Sequence, residues 1–219
     1  MKFAAILFDF DGVLVESEYA GNRQIAAWFS ANGRAMTTEQ AMDLFMGLSG
    51  PDFRVALDRH WGGPIPGAFT AQRLEEDERV LREGVGAVVG AIPFVRALPP
   101  ALPRAIVSSS STHWIRTHLE HLGLNDAFPH VFSGKEHVAR GKPAPDIYLH
   151  AAEALGVAIG DCLIIEDSPV GATGAVASGG HVVGLCAGSH CSVGHADRLR
   201  AIGVDRIATS FDEVAAVLN

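Results

Sequence analysis

The stretch of residues 3–16 constrains the fold most, because a short apolar run leads directly into two aspartates and a glycine. Residues 4–8 are rich in strand-forming side chains and predict a fully buried parallel strand. Side chains alternate along a strand, so we expect Asp9 and Asp11 to point the same way. Open α/β sheets bind ligands beyond the carboxyl ends of their strands. The two aspartates therefore stand where a ligand would bind, although a solvated turn also accounts for an Asp-x-Asp-Gly run taken alone.

The predicted secondary structure changes near Pro93, from helices alone to alternating strands and helices. Before it, helices are predicted at about 17–32, 37–47, 52–61 and 70–89, with Ser17 as the cap of the first. Beyond it, apolar strands are predicted at 104–107, 131–133, 161–165, 181–185 and 205–208, and helices at 111–122, 145–155, 170–178 and 211–218. This alternation favours a parallel sheet with helices on both faces. A helical insertion after the first strand indicates a core domain that carries a cap.

Composition limits the partners of the protein. The 219 residues carry a formal net charge of −8 and a pI of about 5.6, which argues against a nucleic-acid-binding surface. No apolar run approaches the length of a membrane helix, and acidic residues interrupt the first apolar run too early for a signal peptide. The three cysteines form no CxxC pair and are odd in number, which favours a reducing cytoplasm. We expect a cytoplasmic monomer that contacts neither nucleic acid nor membrane.

Four potential ligands of a soft metal, Cys186, His190, Cys191 and His195, lie close together in the sequence. Their spacing matches no zinc pattern. We interpret the segment that contains them as a loop before the last βα unit.

Two further strand ends carry groups suited to an anion. The strand at 104–107 runs into Ser108 and Ser109, where a hydroxyl and free backbone N–H groups open a helix. A plain serine N-cap also explains Ser108. Lys142 lies between a glycine and a proline just before another helix, where a stiff loop would place a positive charge for phosphate. A solvated surface lysine is the alternative interpretation of Lys142.

The strand at 161–165 ends in Glu166 and Asp167. Carboxylates gathered beside Asp9 at a buried sheet edge would repel one another, which is hard to explain without a cation. Hard oxygen ligands of this kind suit Mg²⁺. An acidic turn that caps the next helix is the alternative interpretation.

Together and in this order, these groups resemble the motifs of the haloacid dehalogenase (HAD) superfamily of phosphotransferases. The run DFDGVLVES resembles the first motif, Ser108 the second, Lys142 the third, and Glu166 with Asp167 the fourth. Residues 133–157 and 162–179 look like the β-phosphoglucomutase-like subfamily, which has an α-helical cap. The resemblance implies a Rossmann-like three-layer core of residues 1–15 and 93–219. The inserted helical cap domain would span residues 16–92.

The resemblance also implies the chemistry. Asp9 would be the nucleophile that forms an aspartyl phosphate. Asp11 would protonate the leaving oxygen and then take a proton from the attacking water. Mg²⁺ would be held by Asp9, by the main-chain carbonyl of Asp11 and by Asp167, and Glu166 would lie beside it, bound directly or through water.

Substrate binding would divide between the core and the cap. The implied phosphate contacts in the core are Gly12, Ser108, Ser109 and Lys142. The expected contacts in the cap are Gly47, Ser49 and Arg54, with Glu18, Asn22 and Arg23 as further candidates. A solvated helix face is the alternative interpretation for most of these cap residues.

Several activities occur in this superfamily, and the residues favour one of them. Asp11 argues against a dehalogenase, whose relatives lack this second aspartate, and the lack of a cap lysine argues against phosphonate hydrolysis. A β-phosphoglucomutase-type mutase is harder to exclude, but Gly21 stands where that mutase has a histidine, and Arg54 would have to replace its cap arginine. We favour a Mg²⁺-dependent phosphatase acting on a small phosphorylated metabolite, such as a sugar or sugar-acid phosphate. A catalytically weak phosphate-binding or regulatory protein is the alternative from another class.

Overall fold

The computed structural model describes residues 2–48 and 50–218, and its centre is a parallel six-stranded sheet in the order β3-β2-β1-β4-β5-β6. The strands are β1 Ala5–Phe8, β2 Arg104–Ser108, β3 His130–Ser133, β4 Cys162–Glu166, β5 His181–Leu185 and β6 Arg206–Ala208. The helices are α1 Ser17–Ala31, α2 Thr38–Phe45, α3 Gly50–Trp61, α4 Gly67–Glu83, α5 Ala91–Ala97, α6 Thr112–His121, α7 Asp146–Leu155, α8 Pro169–Ser178, α9 His195–Ile202 and α10 Phe211–Val217. The predicted α/β class with a parallel sheet is confirmed.

The first strand, β1, is central in the sheet and buried on both faces. Ile6 and Phe8 belong to an apolar cluster on one face, which α5, α6 and α10 cover. Leu7 belongs to a cluster on the opposite face, which α7 and α8 cover. A strand that must be apolar on both sides reads as a continuous apolar run, as residues 4–8 do. The result is the predicted three-layer, Rossmann-like core.

Helices α1 to α4, inserted after β1, form an apolar core of their own. In α1, Ile25, Trp28 and Phe29 recur at the spacing of one helix face and are buried. They pack against apolar side chains of α2, α3 and α4, among them Phe45, Leu57 and Phe69. Within the described residues this cluster draws nothing from the sheet or from α5–α10, as an inserted cap would require. The exact domain boundaries at residues 16 and 92 stay a prediction.

The two chain segments that enter and leave this helical insertion pair with each other. The Glu16 N–H donates to the Gly86 carbonyl at 2.9 Å, and the Val88 N–H donates to the Leu14 carbonyl at 3.1 Å. This pairing requires the last helix of the insertion to end early. The helix predicted to reach residue 89 therefore ends at Glu83, where Gly84 adopts a φ of +79° that other residues rarely adopt.

Other local features differ from the sequence prediction. Helix α5 was not predicted; it contains Pro93 in its first turn, where proline is tolerated. Helix α9, which begins at His195, was not predicted either. Ser17 is the first residue of α1 and its side chain does not cap the helix. Thr37 does cap α2, in a reciprocal capping box with Gln40.

Candidate active site

The strand order places three chemistry-bearing strand ends side by side. Because β1 lies between β2 and β4 and runs parallel to both, Asp9 emerges beside the ends that carry Ser108 and Glu166. Asp9, Ser108 and Lys142 line the floor of a cleft of about 360 Å³, and Glu166 and Asp167 are fully buried behind it. Residues of α1, α2, α3 and α4 form the opposite wall, and Trp114 of α6 and Lys135 also line the cleft. The cleft therefore lies between the sheet edge and the helical insertion.

Lys142 is buried against the acidic groups at the floor of this cleft. Its ammonium lies 2.6 Å from Oδ1 of Asp9 and also contacts Glu166, with only 4% of its side chain exposed. Burial alone would lower the pKa of Lys142, but the carboxylates of Asp9 and Glu166 outweigh it and raise that pKa. The lysine is therefore a fixed positive charge, and the alternative of a solvated surface lysine does not fit the structure.

Asp9, Glu166 and Asp167 form a buried cluster of carboxylates. Each offers an oxygen, and these oxygens all lie within 4.8 Å of one another. Burial raises the pKa of Asp9 well above its usual range, Glu166 and Asp167 raise it further, and only Lys142 opposes them. Burial and then Glu166 likewise raise the pKa of Asp167. The single positive charge of Lys142 thus does not balance the three carboxylates of this cluster.

Several oxygens of the cluster lack hydrogen-bond partners. Oε2 of Glu166 and both carboxylate oxygens of Asp167 are buried and unsatisfied. Buried polar atoms of this kind ordinarily have a partner. Hard carboxylate oxygens with unused lone pairs, close together and short of positive charge, fit a divalent cation such as Mg²⁺. The main-chain carbonyl of Asp11 stays a predicted further ligand.

Two neighbours fix the geometry of this cluster. The buried Tyr148 hydroxyl donates to Oε1 of Glu166 at 2.5 Å, which leaves Oε2 as the unpaired oxygen. Gly12 has a φ of +82°, and a Cβ at this position would lie 2.0 Å from Oδ2 of Asp167. Glycine is therefore required at position 12, because any side chain there would collide with an acidic group of the floor.

Asp11 is held by hydrogen bonds from four side chains. Its Oδ1 accepts from the Ser17 hydroxyl at 2.6 Å and from Nε1 of Trp114 at 3.1 Å. Its Oδ2 accepts from the Ser110 hydroxyl at 2.6 Å and from the Ser108 hydroxyl at 3.3 Å. Sequence reasoning missed the roles of Ser110, in the turn after β2, and of Trp114 in α6, because their contacts with Asp11 form only in the folded chain.

The serines at the end of β2 and just after it have different roles. Ser111 is the N-cap of α6 and accepts from the Trp114 N–H at 3.3 Å. Ser108 is buried, and its hydroxyl accepts from the Ser110 N–H at 3.0 Å. Ser109 lines the cleft. Ser108 and Ser109 therefore lie at the cleft, and their contact with phosphate stays a prediction. The capping role that competed for Ser108 belongs to Ser111.

The predicted cap contacts are only partly placed at the cleft. Glu18, Asn22 and Gly47 line it. Ser49 lies outside the described residues. Arg54 lies elsewhere: its Nε donates to Asp58 at 2.9 Å, half of its side chain is exposed, and it is not among the residues that line the cleft. Its position on α3 turns it along the helix surface toward Asp58, so the structure gives no support to the prediction that it contacts phosphate.

A different arginine provides the cap cation at the cleft. Arg73 of α4 lines it, and one of its guanidinium nitrogens lies 3.4 Å from Asp77. Gln24 lines the same wall. Sequence reasoning missed Arg73, because nothing in the spacing of a polar helix shows which face meets the sheet edge.

The fold and this cleft define an α/β enzyme with its acidic groups at the carboxyl edge of a parallel sheet. The model of a family described as haloacid dehalogenase-like hydrolase matches residues 3–179. The chain belongs to that family, as its motifs predicted.

Known relatives agree with this assignment. The chain is 34% identical over 217 residues to hexitol phosphatase A of Escherichia coli K12, covering 98% of this chain and 94% of the relative. It is 28% identical over 198 residues to 6-phosphogluconate phosphatase of the same organism, covering 86% and 85%. A solved HAD family hydrolase from Deinococcus radiodurans R1, with bound phosphate and sodium, superposes with a TM-score of 0.80 at 32% identity, covering 99% and 95%. The prediction of a phosphatase of this family is confirmed.

The remaining expectations concern partners and location. No helix of residues 2–48 and 50–218 is long and apolar enough to span a membrane. The monomeric state and the cytoplasmic location stay predictions.

Proposed function

We propose that this protein is a Mg²⁺-dependent phosphatase that hydrolyses a sugar or sugar-acid phosphate through an aspartyl-phosphate intermediate. The observation that carries the proposal is the position of Asp9. It is buried at the floor of the cleft, and its Oδ1 lies 2.6 Å from the Lys142 ammonium. One of its carboxylate oxygens also lies within 4.8 Å of an oxygen of Glu166 and one of Asp167. A carboxylate in such surroundings is suited to attack phosphorus rather than to stay solvated.

Asp9, Glu166 and Asp167 would hold the cation, because their carboxylate oxygens lie close together and those of Glu166 and Asp167 include unpaired ones that fit a hard ion. When bound, Mg²⁺ supplies the positive charge that lets an anionic nucleophile approach an anionic phosphate.

In the first half-reaction, a carboxylate oxygen of Asp9 attacks phosphorus and the bond from phosphorus to the leaving oxygen breaks. Asp11 donates a proton to that oxygen, so the product leaves as an alcohol. Lys142 and the Ser108 hydroxyl lie at the floor, where they would hold the nonbridging phosphate oxygens. Positioning and charge stabilisation of this kind account for most of the catalysis of phosphoryl transfer.

In the second half-reaction, water attacks the phosphorus of the aspartyl phosphate. Asp11 takes the proton from that water, the bond from Asp9 to phosphorus breaks, and inorganic phosphate leaves. The four donors around Asp11 keep its carboxyl group in place for both proton transfers. Two of these donors, Ser17 and Trp114, belong to α1 and α6. Asp11, which acts first as the acid and then as the base, is therefore held from both sides of the cleft.

The helical insertion would select the organic part of the substrate. Asn22 is buried on the cleft wall, its amide N–H donates to the Glu18 carbonyl at 2.9 Å, and its Oδ1 has no partner. Gln24 and Arg73 add further polar groups. A wall of hydrogen-bonding groups suits a polyhydroxylated substrate, and the hexitol and 6-phosphogluconate phosphatases are relatives that act on such compounds.

Phosphate release from a panel of hexitol, sugar and sugar-acid phosphates, with and without Mg²⁺, would test the proposal. We expect one group of polyol phosphates to be preferred, activity to disappear in EDTA, and Ca²⁺ not to restore it, because Ca²⁺ takes more ligands at longer distances. Full activity in EDTA, or no hydrolysis of any monoester, would contradict the proposal.

A sugar phosphate mutase is the second candidate, and Arg73 is the observation that favours it. A mutase must hold a bisphosphate in two orientations, and Arg73 is a cap cation at the cleft. The two activities are separated by supplying a sugar 1-phosphate with catalytic bisphosphate. A phosphatase releases inorganic phosphate, whereas a mutase yields the isomeric sugar phosphate without net release.

A further inference from the structure

The segment after β5 folds back on itself and gathers three potential metal ligands. Cys186, Cys191 and His195 offer two sulfurs and a ring nitrogen that all lie within 4.8 Å of one another. Backbone hydrogen bonds set this fold. The Cys186 N–H donates to the Ala208 carbonyl at 2.7 Å, and the Cys191 N–H donates to the Gly188 carbonyl at 3.0 Å. The interpretation of this segment as a plain loop is therefore incomplete, and its last residue begins α9.

The ring of the histidine in this cluster is held by the main chain at one of its two nitrogens. His195 is buried, and its Nε2 lies 2.6 Å from the Asp167 carbonyl, an atom that can only accept. Nε2 must therefore carry the proton, which leaves a lone pair on Nδ1. Metal-ligating histidines ordinarily donate their other ring N–H to a carbonyl or carboxylate in this way. Nδ1 now lies 3.3 Å from a guanidinium nitrogen of Arg198, a half-exposed side chain that can move away.

The two thiols of the cluster contact each other, since the side chains of Cys186 and Cys191 are hydrogen-bonded. The Cys191 sulfur lies 4.0 Å from the Leu185 carbonyl and 3.3 Å from Nε2 of His190. His190 is itself buried, and its Nδ1 has no partner. Its Nε2 also lies 2.8 Å from Oδ2 of Asp167, but the two atoms lack the alignment of a hydrogen bond, so that oxygen stays unsatisfied. The interior between the thiols and the acidic cluster thus holds polar groups that the protein alone does not satisfy.

We propose that Cys186, Cys191 and His195 form a second metal site for a thiophilic divalent ion, with Zn²⁺ as the expected class of occupant. Two thiolates and one imidazole are the ligands that Zn²⁺ accepts, and three protein ligands leave a fourth position open. The ligand atoms give the two sites different metal preferences, since carboxylate oxygens suit Mg²⁺ whereas thiolates select softer ions. The second site adjoins the first, because His195 holds the main chain of Asp167.

Cobalt binding to the full-length, chelator-treated and reduced protein tests this site. Thiolate ligands give Co²⁺ an intense near-ultraviolet charge-transfer band that oxygen ligands do not give. We expect one such Co²⁺ ion per chain, displaced by Zn²⁺, in the unmodified protein and equally in Asp9→Asn, in which the acidic site is altered. Cys186→Ser and Cys191→Ser should weaken binding at least about 10-fold, the lower end of what even the loss of an outer partner of a ligand costs. Cys162→Ser, at a cysteine outside the cluster, is the matched control and should bind as the unmodified protein does.

A second variant keeps the proposal testable if a cysteine variant does not fold. Arg198 competes for the lone pair of His195, so Arg198→Ala should bind Co²⁺ more tightly. Unchanged or weaker binding in Arg198→Ala would contradict the assignment of Nδ1 as a ligand. Absence of the charge-transfer band at stoichiometric Co²⁺, or its survival undiminished in both cysteine variants, would overturn the site. A Cys186–Cys191 disulfide in air, with no metal binding after reduction, would overturn it in favour of a redox pair. None of these results depends on phosphatase activity.

Discussion

The ammonium of Lys142 lies 2.6 Å from the carboxylate of Asp9, although the two residues are 133 positions apart in the chain. Both side chains are almost fully buried. The pair is asymmetric, because Asp9 also faces the carboxylates of Glu166 and Asp167, whereas Lys142 is the cation that opposes all of them. Removing the charge of Asp9 should therefore not destabilise the metal-free protein, whereas removing the charge of Lys142 should. In a simple salt bridge, the loss of either partner would destabilise the protein.

Asp9→Asn should remove turnover while the fold is kept, because an amide cannot form the aspartyl phosphate. Its pKa is raised in the folded state, so the ionised carboxylate destabilises the metal-free fold. In EDTA we therefore expect the Tm of Asp9→Asn to equal or exceed that of the unmodified protein. Phosphate release and thermal unfolding measure the two effects. Substantial Mg²⁺-dependent activity in Asp9→Asn would rule out Asp9 as the nucleophile.

Lys142→Met should also remove turnover, but it should destabilise the protein. Loss of the cation leaves three buried carboxylates without a positive partner, and breaking a buried ion pair from one side costs about 3–5 kcal/mol. Denaturant unfolding in EDTA measures the change, and added Mg²⁺ should recover part of it. A free energy of unfolding equal to that of Asp9→Asn would show that Lys142 does not balance the cluster.

Asp11→Asn should slow the enzyme selectively. General acid–base catalysis contributes about 10²–10⁴-fold, and we expect a loss in this range for alkyl phosphates. The loss should be smaller for p-nitrophenyl phosphate, whose leaving group barely needs a proton. Trp114→Phe removes one of the four donors to Asp11 and should give a milder loss with the same selectivity. Equal losses on both substrates for Asp11→Asn would assign Asp11 another role.

Glu18 should make the metal-free protein less stable as the pH rises. Burial and the charges of Asp167 and Asp11 raise its pKa from 4.5 to about 8. The folded state then holds a proton that the unfolded state releases, so the free energy of unfolding falls between about pH 4.5 and pH 8. Asp9 and Asp167 act in the same direction. The Tm measured against pH in EDTA should fall less steeply for Glu18→Gln. Parallel curves would mean that Glu18 does not titrate in this window.

The cap should control which substrate is used. Asn22→Ala and Arg73→Ala each remove a polar group from the cleft wall, so we expect a lower kcat/KM for a preferred sugar phosphate. They should spare acetyl phosphate, which is too small to need those contacts. Arg54→Ala is the matched control, since Arg54 pairs with Asp58 away from the cleft and should change neither value. Parallel losses on both substrates would assign these residues to folding or to closure of the cleft.

The residues at the carboxyl ends of the strands were predictable, because local sequence patterns specify where a strand ends. A continuous apolar run predicts a strand buried on both faces, as found for β1, and the residues that follow such a strand lie at the ligand-binding edge. The proximity of Asp9, Lys142 and Asp167 at one sheet edge follows from this rule and from the order of the motifs. Helix boundaries were less predictable. The helix ending at Glu83 is shortened by pairing between residues far apart in the chain, which no local pattern reports.

The sequence by itself determined the parallel sheet, the family and the acidic and basic groups at the strand ends, because strand and helix periodicity and short motifs are local properties. Only the tertiary structure decided which side chains complete the cleft. Trp114 reaches Asp11, Tyr148 reaches Glu166 and Arg73 replaces Arg54 as the cap cation, because these contacts depend on how helices pack across the sheet edge. The thiol and imidazole ligands near Asp167 show the same limit, because their spacing in the chain matches no metal motif and a folded loop brings them together.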